Sequence, residues 1–280
     1  VSVYESPAKL NLSLLVSPPR DDGYHPIQSL VQTIEWCDRL SVEPGEGADS
    51  LDIVGSELGV DDNLVLNALS ALREHARVPP LALTLEKDLP VEAGLGGGSS
   101  NAATMLAAAE AQGWASSEAV ALTAGKVGAD VALFLVGGSM DVSGIGDLIE
   151  PHRGLDGFAV AVVVPDFGFS TAEVYRRWDE MEGPEGDAVP DTQLPPSLRD
   201  QMPMRNDLLP AALDIDPRIG DFMADVRQEW GTAVCLTGSG SACFGYFSSV
   251  EEAEHAASAV IALTSVQRGT TLRPNGVAPL

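Results

Sequence analysis

The residues able to do chemistry fall in a few short stretches. The sharpest is Pro90–Asn101, PVEAGLGGGSSN, where Gly94, Gly96, Gly97 and Gly98 lie within five positions and Ser99 and Ser100 follow. A glycine turn feeding a helix presents main-chain N–H groups and the positive end of the helix dipole, and without Cβ atoms an anion can come close. The two serines can cap the helix or donate to phosphate oxygens. No Gly-Lys-Ser/Thr follows, so this is not a Walker A loop. It is not a dinucleotide fingerprint either. Counted from Gly94 and Gly96 the third glycine position holds Ser99, and counted from Gly96 and Gly98 it holds Asn101. Two or three glycines would read as a packing turn; four in five positions at a helix start favour phosphate.

Other candidates are weaker taken alone. In Lys9–Leu15 (KLNLSLL), Leu10, Leu12 and Leu14 alternate with Lys9, Asn11 and Ser13, so Lys9 and Asn11 share a polar strand face. Lys9 by itself reads as an edge-strand lysine. Asp130 stands between Gly128 and the apolar Val131–Val136, where it reads as a helix N-cap. Tyr24 and His25 sit in a DGYH turn. A tyrosine face can stack on a pyrimidine and a histidine can bond its edge, although a surface aromatic pinning a turn is the plainer reading. Thr237–Ser241 (TGSGS) alone would be a hairpin turn.

The elements that must position these residues mix strands and helices. Leu81, Leu83 and Leu85 give a strand signal before Pro90, and an alanine-rich helix is expected over Asn101–Gln112, closed by Gly113. A second helix spans Ser117–Val127 and ends at Gly128, and Phe158–Val164 reads as a buried strand. Ser170–Glu173 (STAE) and Ser249–Glu252 (SVEE) read as capping boxes, the first opening a helix with Thr171, Tyr175 and Trp178. Thr232–Leu236 and Ala242–Phe247 are strands around TGSGS. Glu43–Asp52 is a loop, and the acidic, proline-rich Asp179–Asp200 an irregular excursion or lid. A length of 280 residues with 45% hydrophobic residues suits two domains. The boundary is placed at Gly154–Gly157, giving an α/β domain over 1–155 and an α+β domain over 156–280.

Composition narrows the function. Acidic residues number 41 against 16 basic ones, a net charge of -25. That argues against nucleic-acid binding and against anionic membranes. Three cysteines without a CxxC imply neither a disulfide framework nor a zinc site, and His75, His152 and His255 have no partners at metal-ligand spacing. The opening VSVYESPAKLN lacks a secretory pattern, and no apolar run approaches the roughly 18 residues of a membrane span. A soluble, cytoplasmic protein is expected.

Three stretches together resemble the GHMP kinases: PAKLNLSL at Pro7–Leu14, PVEAGLGGGSSNAAT at Pro90–Thr104 and LTGSGSACFG at Leu236–Gly245, in the order of that superfamily's three motifs. DGYHPIQSLVQTI, GADVALFLVGG and GIGDLIEP resemble in particular the diphosphocytidyl-methylerythritol kinases. Ala132, where that family usually has proline, and Ala93, at a common glycine, depart from it. The resemblance implies a ribosomal-protein-like ATP-binding domain packed on a ferredoxin-like domain, and ATP accompanied by Mg²⁺ without a dedicated protein ligand cage. It implies transfer of the ATP γ-phosphate to the 2-hydroxyl of the erythritol moiety, on the methylerythritol phosphate route to isoprenoids. Lys9 and Asp130 take the catalytic positions; Asp130 would accept the hydroxyl proton or orient the hydroxyl, with Lys9 stabilising charge. Pro90, Val91, Glu92, Ala93, Gly94, Leu95, Gly96, Gly97, Gly98, Ser99 and Ser100 take the nucleotide positions. Asn11, Tyr24, His25, Thr171 and Tyr175 take the substrate positions, and Thr237, Gly238, Ser239 and Gly240 lie beside the phosphates. The rivals are a GHMP kinase for homoserine, mevalonate or a sugar, to which a cytosine-binding DGYH turn is useless, and a non-catalytic nucleotide-binding protein, which would not need Lys9 and Asp130.

Overall fold

Two long antiparallel strands organise the first half of the chain in this computed structural model, which describes residues 1–60 and 62–279. β1 (Ser2–Val16) pairs with β2 (Ile27–Pro44), with register shifts between Pro7 and Ala8 and between Asn11 and Ser13. The other side of β2 is shared. Its Arg39–Pro44 half pairs with β4 (Leu81–Glu86) and its Ile27–Gln32 half with β5 (Ser139–Gly144), which in turn pairs with β6 (Leu148–Pro151). β3 (Ser50–Val54) lies parallel to β4, and α1 (Leu64–Leu72) supplies the crossover a parallel pair needs. α2 (Gly97–Ala111), α3 (Ser117–Val127) and α4 (Val131–Val136) complete this half. In α2, Ala102, Ala103, Ala108 and Ala109 are fully buried with Met105 and Leu106. Small side chains on every side let neighbouring helices close around it.

The second half is a four-stranded antiparallel sheet in the order β10–β7–β9–β8, formed by β7 (Ala159–Val164), β8 (Cys235–Leu236), β9 (Cys243–Phe247) and β10 (Val266–Thr271). Its helices are α5 (Thr171–Glu180), α6 (Leu209–Ile215), α7 (Arg218–Trp230) and α8 (Val250–Ala259). Period-two alternation sorts β7. Ala159 and Ala161 pack on alanines of α8, while Val160, Val162 and Val164 share a core with Leu10, Leu12 and Trp36. Leu10 and Leu12 therefore face the second sheet and Leu14 joins the core of Phe169, Val174 and Trp178, each contributing about 1.5–3 kcal/mol by burial, and Lys9 and Asn11 are turned the other way.

The chain's last segment crosses back. Arg273 N–H donates to Thr33 O at 2.8 Å, Val277 N–H donates to Phe134 O at 3.1 Å, and β11 (Ala278–Pro279) pairs with β1. A Cβ on Gly276 would lie 1.9 Å from Phe134 O, so only glycine fits where this strap passes α4. The Arg273 guanidinium is buried between Glu5 (2.7 Å) and Glu35 (2.8 Å).

Several local expectations change. α2 begins at Gly97, not Asn101, so half of the glycine run is already helix. The strand before TGSGS shortens to Cys235–Leu236. Ser170 caps α5 without a side-chain bond. Ser249 does cap α8, but Glu252 takes Ser248 in place of the cap residue's N–H. Asp179 and Glu180 still belong to α5; beyond them residues 181–200 are irregular apart from two short 3-10 turns at Asp191–Gln193 and Pro196–Leu198, and Leu194 and Leu198 are buried in the shared core, so the segment is anchored. No described helix is long and apolar enough to cross a membrane.

Candidate active site

The site is built around the first turn of α2. Gly96 precedes the helix at φ +73° without a side-chain cap, and the first N–H groups of a helix have no partner within it. Ser99 and Ser100 stand inside this turn, so neither is the cap. Ser100 Oγ and Asn101 Oδ1 are buried without a hydrogen-bond partner among the described residues. Close packing explains two of the glycines. A Cβ on Gly94 (φ +80°) would lie 2.6 Å from Thr237 O and 3.2 Å from Gly240 O, and one on Gly96 would lie 2.8 Å from the Phe134 ring and 3.2 Å from Lys9 Cγ. The glycine loop is thus sandwiched between TGSGS on one side and Lys9 with α4 on the other. Lys9 N–H donates to Leu95 O at 3.0 Å and Ala242 N–H to Ala93 O at 3.1 Å.

Lys9 is buried at 6% exposure, which excludes the edge-lysine reading. Its Nζ donates to Asn11 Oδ1 at 2.6 Å. Asn11 Nδ2 donates to Ser29 Oγ at 2.8 Å, whose own hydrogen goes to Ser13 O at 2.6 Å, so the amide oxygen is held towards Lys9. Asn11 N–H donates to Thr237 Oγ1 at 2.9 Å, and a Cβ on Gly238 would sit 3.5 Å from both Lys9 Nζ and Asn11 Oδ1. Burial lowers the Lys9 pKa from its ordinary 10.5, and the nearby Asp130 carboxylate partly opposes that fall. Among the described residues Asp130 makes no side-chain cap bond to α4, so the capping role does not account for it. Tyr175 also feels Asp130: burial first, and then this carboxylate, push its phenol up to about 12, so it stays protonated.

The remaining sequence-predicted residues flank this centre. Thr171 and Ser239 hydroxyls meet at 2.9 Å, tying α5 to TGSGS. The His25 ring lies 5.0 Å from that of Tyr175. Tyr24 projects outwards at 61% exposure. Glu92 and Gly94 line a cleft of about 400 Å³ with Phe169, Ser170 and Thr171, while Val91 faces outwards.

Similarity to known proteins agrees with this geometry. The GHMP kinases N terminal domain model matches residues 63–143. The 4-diphosphocytidyl-2-C-methyl-D-erythritol kinase of Chelativorans sp. (strain BNC1) is 38% identical over 260 residues, covering 90% of this chain and 88% of that protein. The kinase of the same name from Paracoccus denitrificans (strain Pd 1222) is 36% identical over 280 residues, covering 98% and 96%. This chain belongs to the 4-diphosphocytidyl-2-C-methyl-D-erythritol kinase family. A crystal structure of 4-(cytidine 5'-diphospho)-2C-methyl-D-erythritol kinase superposes with TM-score 0.81 at 32% identity, over 96% of this chain and 98% of that one. The homoserine kinase of Cytophaga hutchinsonii, at TM-score 0.65 and 16% identity, shares the two-domain GHMP fold.

The structure adds neighbours to this centre that the sequence did not single out. Ser29 orients Asn11. Phe134 packs on Gly96 and connects it to the C-terminal strap. Lys87, in a buried ion pair with Asp38, has its Nζ 3.3 Å from where a Cβ on Gly97 would be. One lysine among only three in the chain was the available signal for it. Glu5, Glu35 and Cys37 bring three metal-type donors together, but the Arg273 guanidinium is bonded to all three, and burial pushes the Cys37 thiol up to about 12. This cluster neutralises an arginine.

Proposed function

We propose that the chain transfers the γ-phosphate of ATP to the 2-hydroxyl of 4-diphosphocytidyl-2-C-methyl-D-erythritol, in the cytoplasm. The observation that supports this reading is the packing of Lys9 and Asn11 beside the uncapped start of α2 and against Thr237–Gly238, with the Asp130 carboxylate near enough to oppose the fall in the Lys9 pKa. Phosphoryl transfer asks a protein for positioning and charge stabilisation more than for covalent chemistry. The N–H groups of Gly97, Gly98 and Ser99 would hold ATP phosphate oxygens. Lys9 spends one Nζ proton on Asn11 and directs its charge at the transferring group. Asp130 would take the hydroxyl proton as the oxygen attacks phosphorus. Tyr175, neutral and half-buried, and His25 would form the wall for the cytidine side, with Tyr24 at its rim.

The residues also fit the Mg²⁺ that accompanies ATP. Ser99, Ser100, Asn101 and Asp130 offer oxygen donors of the type a hard cation prefers, and two of these oxygens are buried without a partner among the described residues. When bound, the cation offsets phosphate charge. Residues 1–155 would serve ATP and 156–280 would close the substrate side, with the final strap returning to the first sheet. An ADP-release assay across the diphosphocytidyl substrate, homoserine, mevalonate and a sugar tests the proposal. ADP formation is expected with the first alone; comparable rates with any of the others would overturn it.

A further inference from the structure

His25 is held by a face of α5 that no motif points to. Tyr175, Trp178 and Asp179 are spaced i, i+3, i+4, so they line one side of that helix. The imidazole lies in the niche they form. Its ring is tilted at 5.0 Å to Tyr175 and edge-on at 5.5 Å to Trp178, and Nε2 is 2.8 Å from Asp179 Oδ1. The histidine side chain is only 9% exposed. Trp178 is itself pinned, at 2% exposure, with Nε1 donating to Pro184 O at 2.9 Å.

The turn that carries His25 closes mainly on itself. Ser17 N–H donates to Pro26 O, Arg20 N–H to Tyr24 O and Gly23 N–H to Arg20 O, at 2.8–2.9 Å. Tyr24 N–H donates to Asp22 Oδ1 at 3.1 Å. Those bonds shape the turn without saying where it sits relative to α5. The His25 ring makes that connection, and among the described residues Asp179 is its hydrogen-bond partner.

We propose that Asp179 is a positioning residue for substrate recognition: by holding His25 Nε2 it sets the Asp22–His25 turn against Tyr175, and so fixes the wall that receives the diphosphocytidyl group. This rests on the reading of Tyr24, His25 and Tyr175 as that wall. Asp179 is 38% exposed, so water can replace it as a partner and a single hydrogen bond of this kind contributes about 1 kcal/mol; its effect belongs in binding more than in the melting temperature. The phosphate side, built from α2 and TGSGS, meets α5 at Thr171, whose hydroxyl lies 2.9 Å from that of Ser239, eight positions before Asp179, and should respond little.

Steady-state kinetics of Asp179→Ala, Asp179→Asn and Tyr175→Ala, with thermal melts, test the proposal. For Asp179→Ala, KM for the diphosphocytidyl substrate should rise about tenfold, inside the roughly hundredfold that an ångström-scale misplacement costs. KM for ATP, kcat and the melting temperature should stay near wild type. Asp179→Asn keeps an acceptor for Nε2–H and should recover most of the loss. An unchanged KM in Asp179→Ala while Tyr175→Ala raises it overturns the positioning role and leaves the substrate wall standing. No change in either variant overturns both. A parallel rise in both KM values with a lower melting temperature, or no recovery in Asp179→Asn, also overturns the proposal.

Discussion

Replacing Asp130 with asparagine isolates the charge of one carboxylate. The side chain keeps its shape, and α4 loses nothing, because the carboxylate makes no cap bond there and asparagine caps as well as aspartate. If Asp130 takes the hydroxyl proton, the single-turnover rate should fall by about 10²–10⁴, or about 2.7–5.4 kcal/mol at 1.36 per factor of ten. The substrate dissociation constant should change little, since a base matters mainly in the transition state. A second effect carries a sign. Burial already lowers the Lys9 pKa below 10.5 and Asp130 opposes that fall. Removing the carboxylate lowers it further, so the variant's residual activity should disappear at a lower alkaline pH than wild-type activity does. The assay is the single-turnover rate and the substrate dissociation constant from about pH 7 to about pH 10, with a thermal melt as control. A near-wild-type rate refutes the proton-acceptor role, and an unmoved alkaline limb refutes the coupling to Lys9.

Three further predictions follow from the same contacts. Lys9, with its folded pKa below 10.5, binds fewer protons folded than unfolded between those two values. Wild-type stability relative to Lys9→Met should therefore rise with pH in that window, by at most about 1.4 kcal/mol per pH unit; parallel urea-denaturation profiles would exclude a depressed lysine. Gly94→Ala meets Thr237 O at 2.6 Å in a left-handed conformation and should lose about 2–5 kcal/mol from strain plus overpacking. Gly98→Ala, whose nearest contact is Leu64 Cδ1 at 3.4 Å, should melt no lower than wild type, because alanine favours a helix by about 1 kcal/mol; equal losses in the two would undo the sandwiched-loop account. Gly276→Ala drives a Cβ against Phe134 O and should lower the melting temperature together with kcat, since the displaced α4 follows Asp130 directly. A silent substitution there would show the strap to be incidental.

What was legible in the sequence and what was not divide along a physical line. The glycine run, the KLNLSLL face and the TGSGS turn could be read because each is a local device. A helix start without Cβ atoms is made by consecutive residues, and a strand must alternate if one face is buried, so each leaves its mark within a dozen residues. The start of α2 was misplaced because helix propensity argues against glycine, whereas Gly97 and Gly98 sit in a first turn built to leave its N–H groups open. The STAE box was misread for a related reason, since Ser170 has the backbone of a cap but its side chain makes no cap bond. The supporting contacts could not be read at all. His25 meets Asp179 across 154 positions, Thr171 meets Ser239 across 68, and Asn11 meets Thr237 across 226. Nothing in either partner's neighbourhood announces the other. A group that touches phosphate must be presented by its own turn, and therefore writes a local pattern. A group that only holds another in place can arrive by any route the fold allows, as the strap from Arg273 does when it reaches Phe134, and its spacing in the chain is then set by topology and not by chemistry.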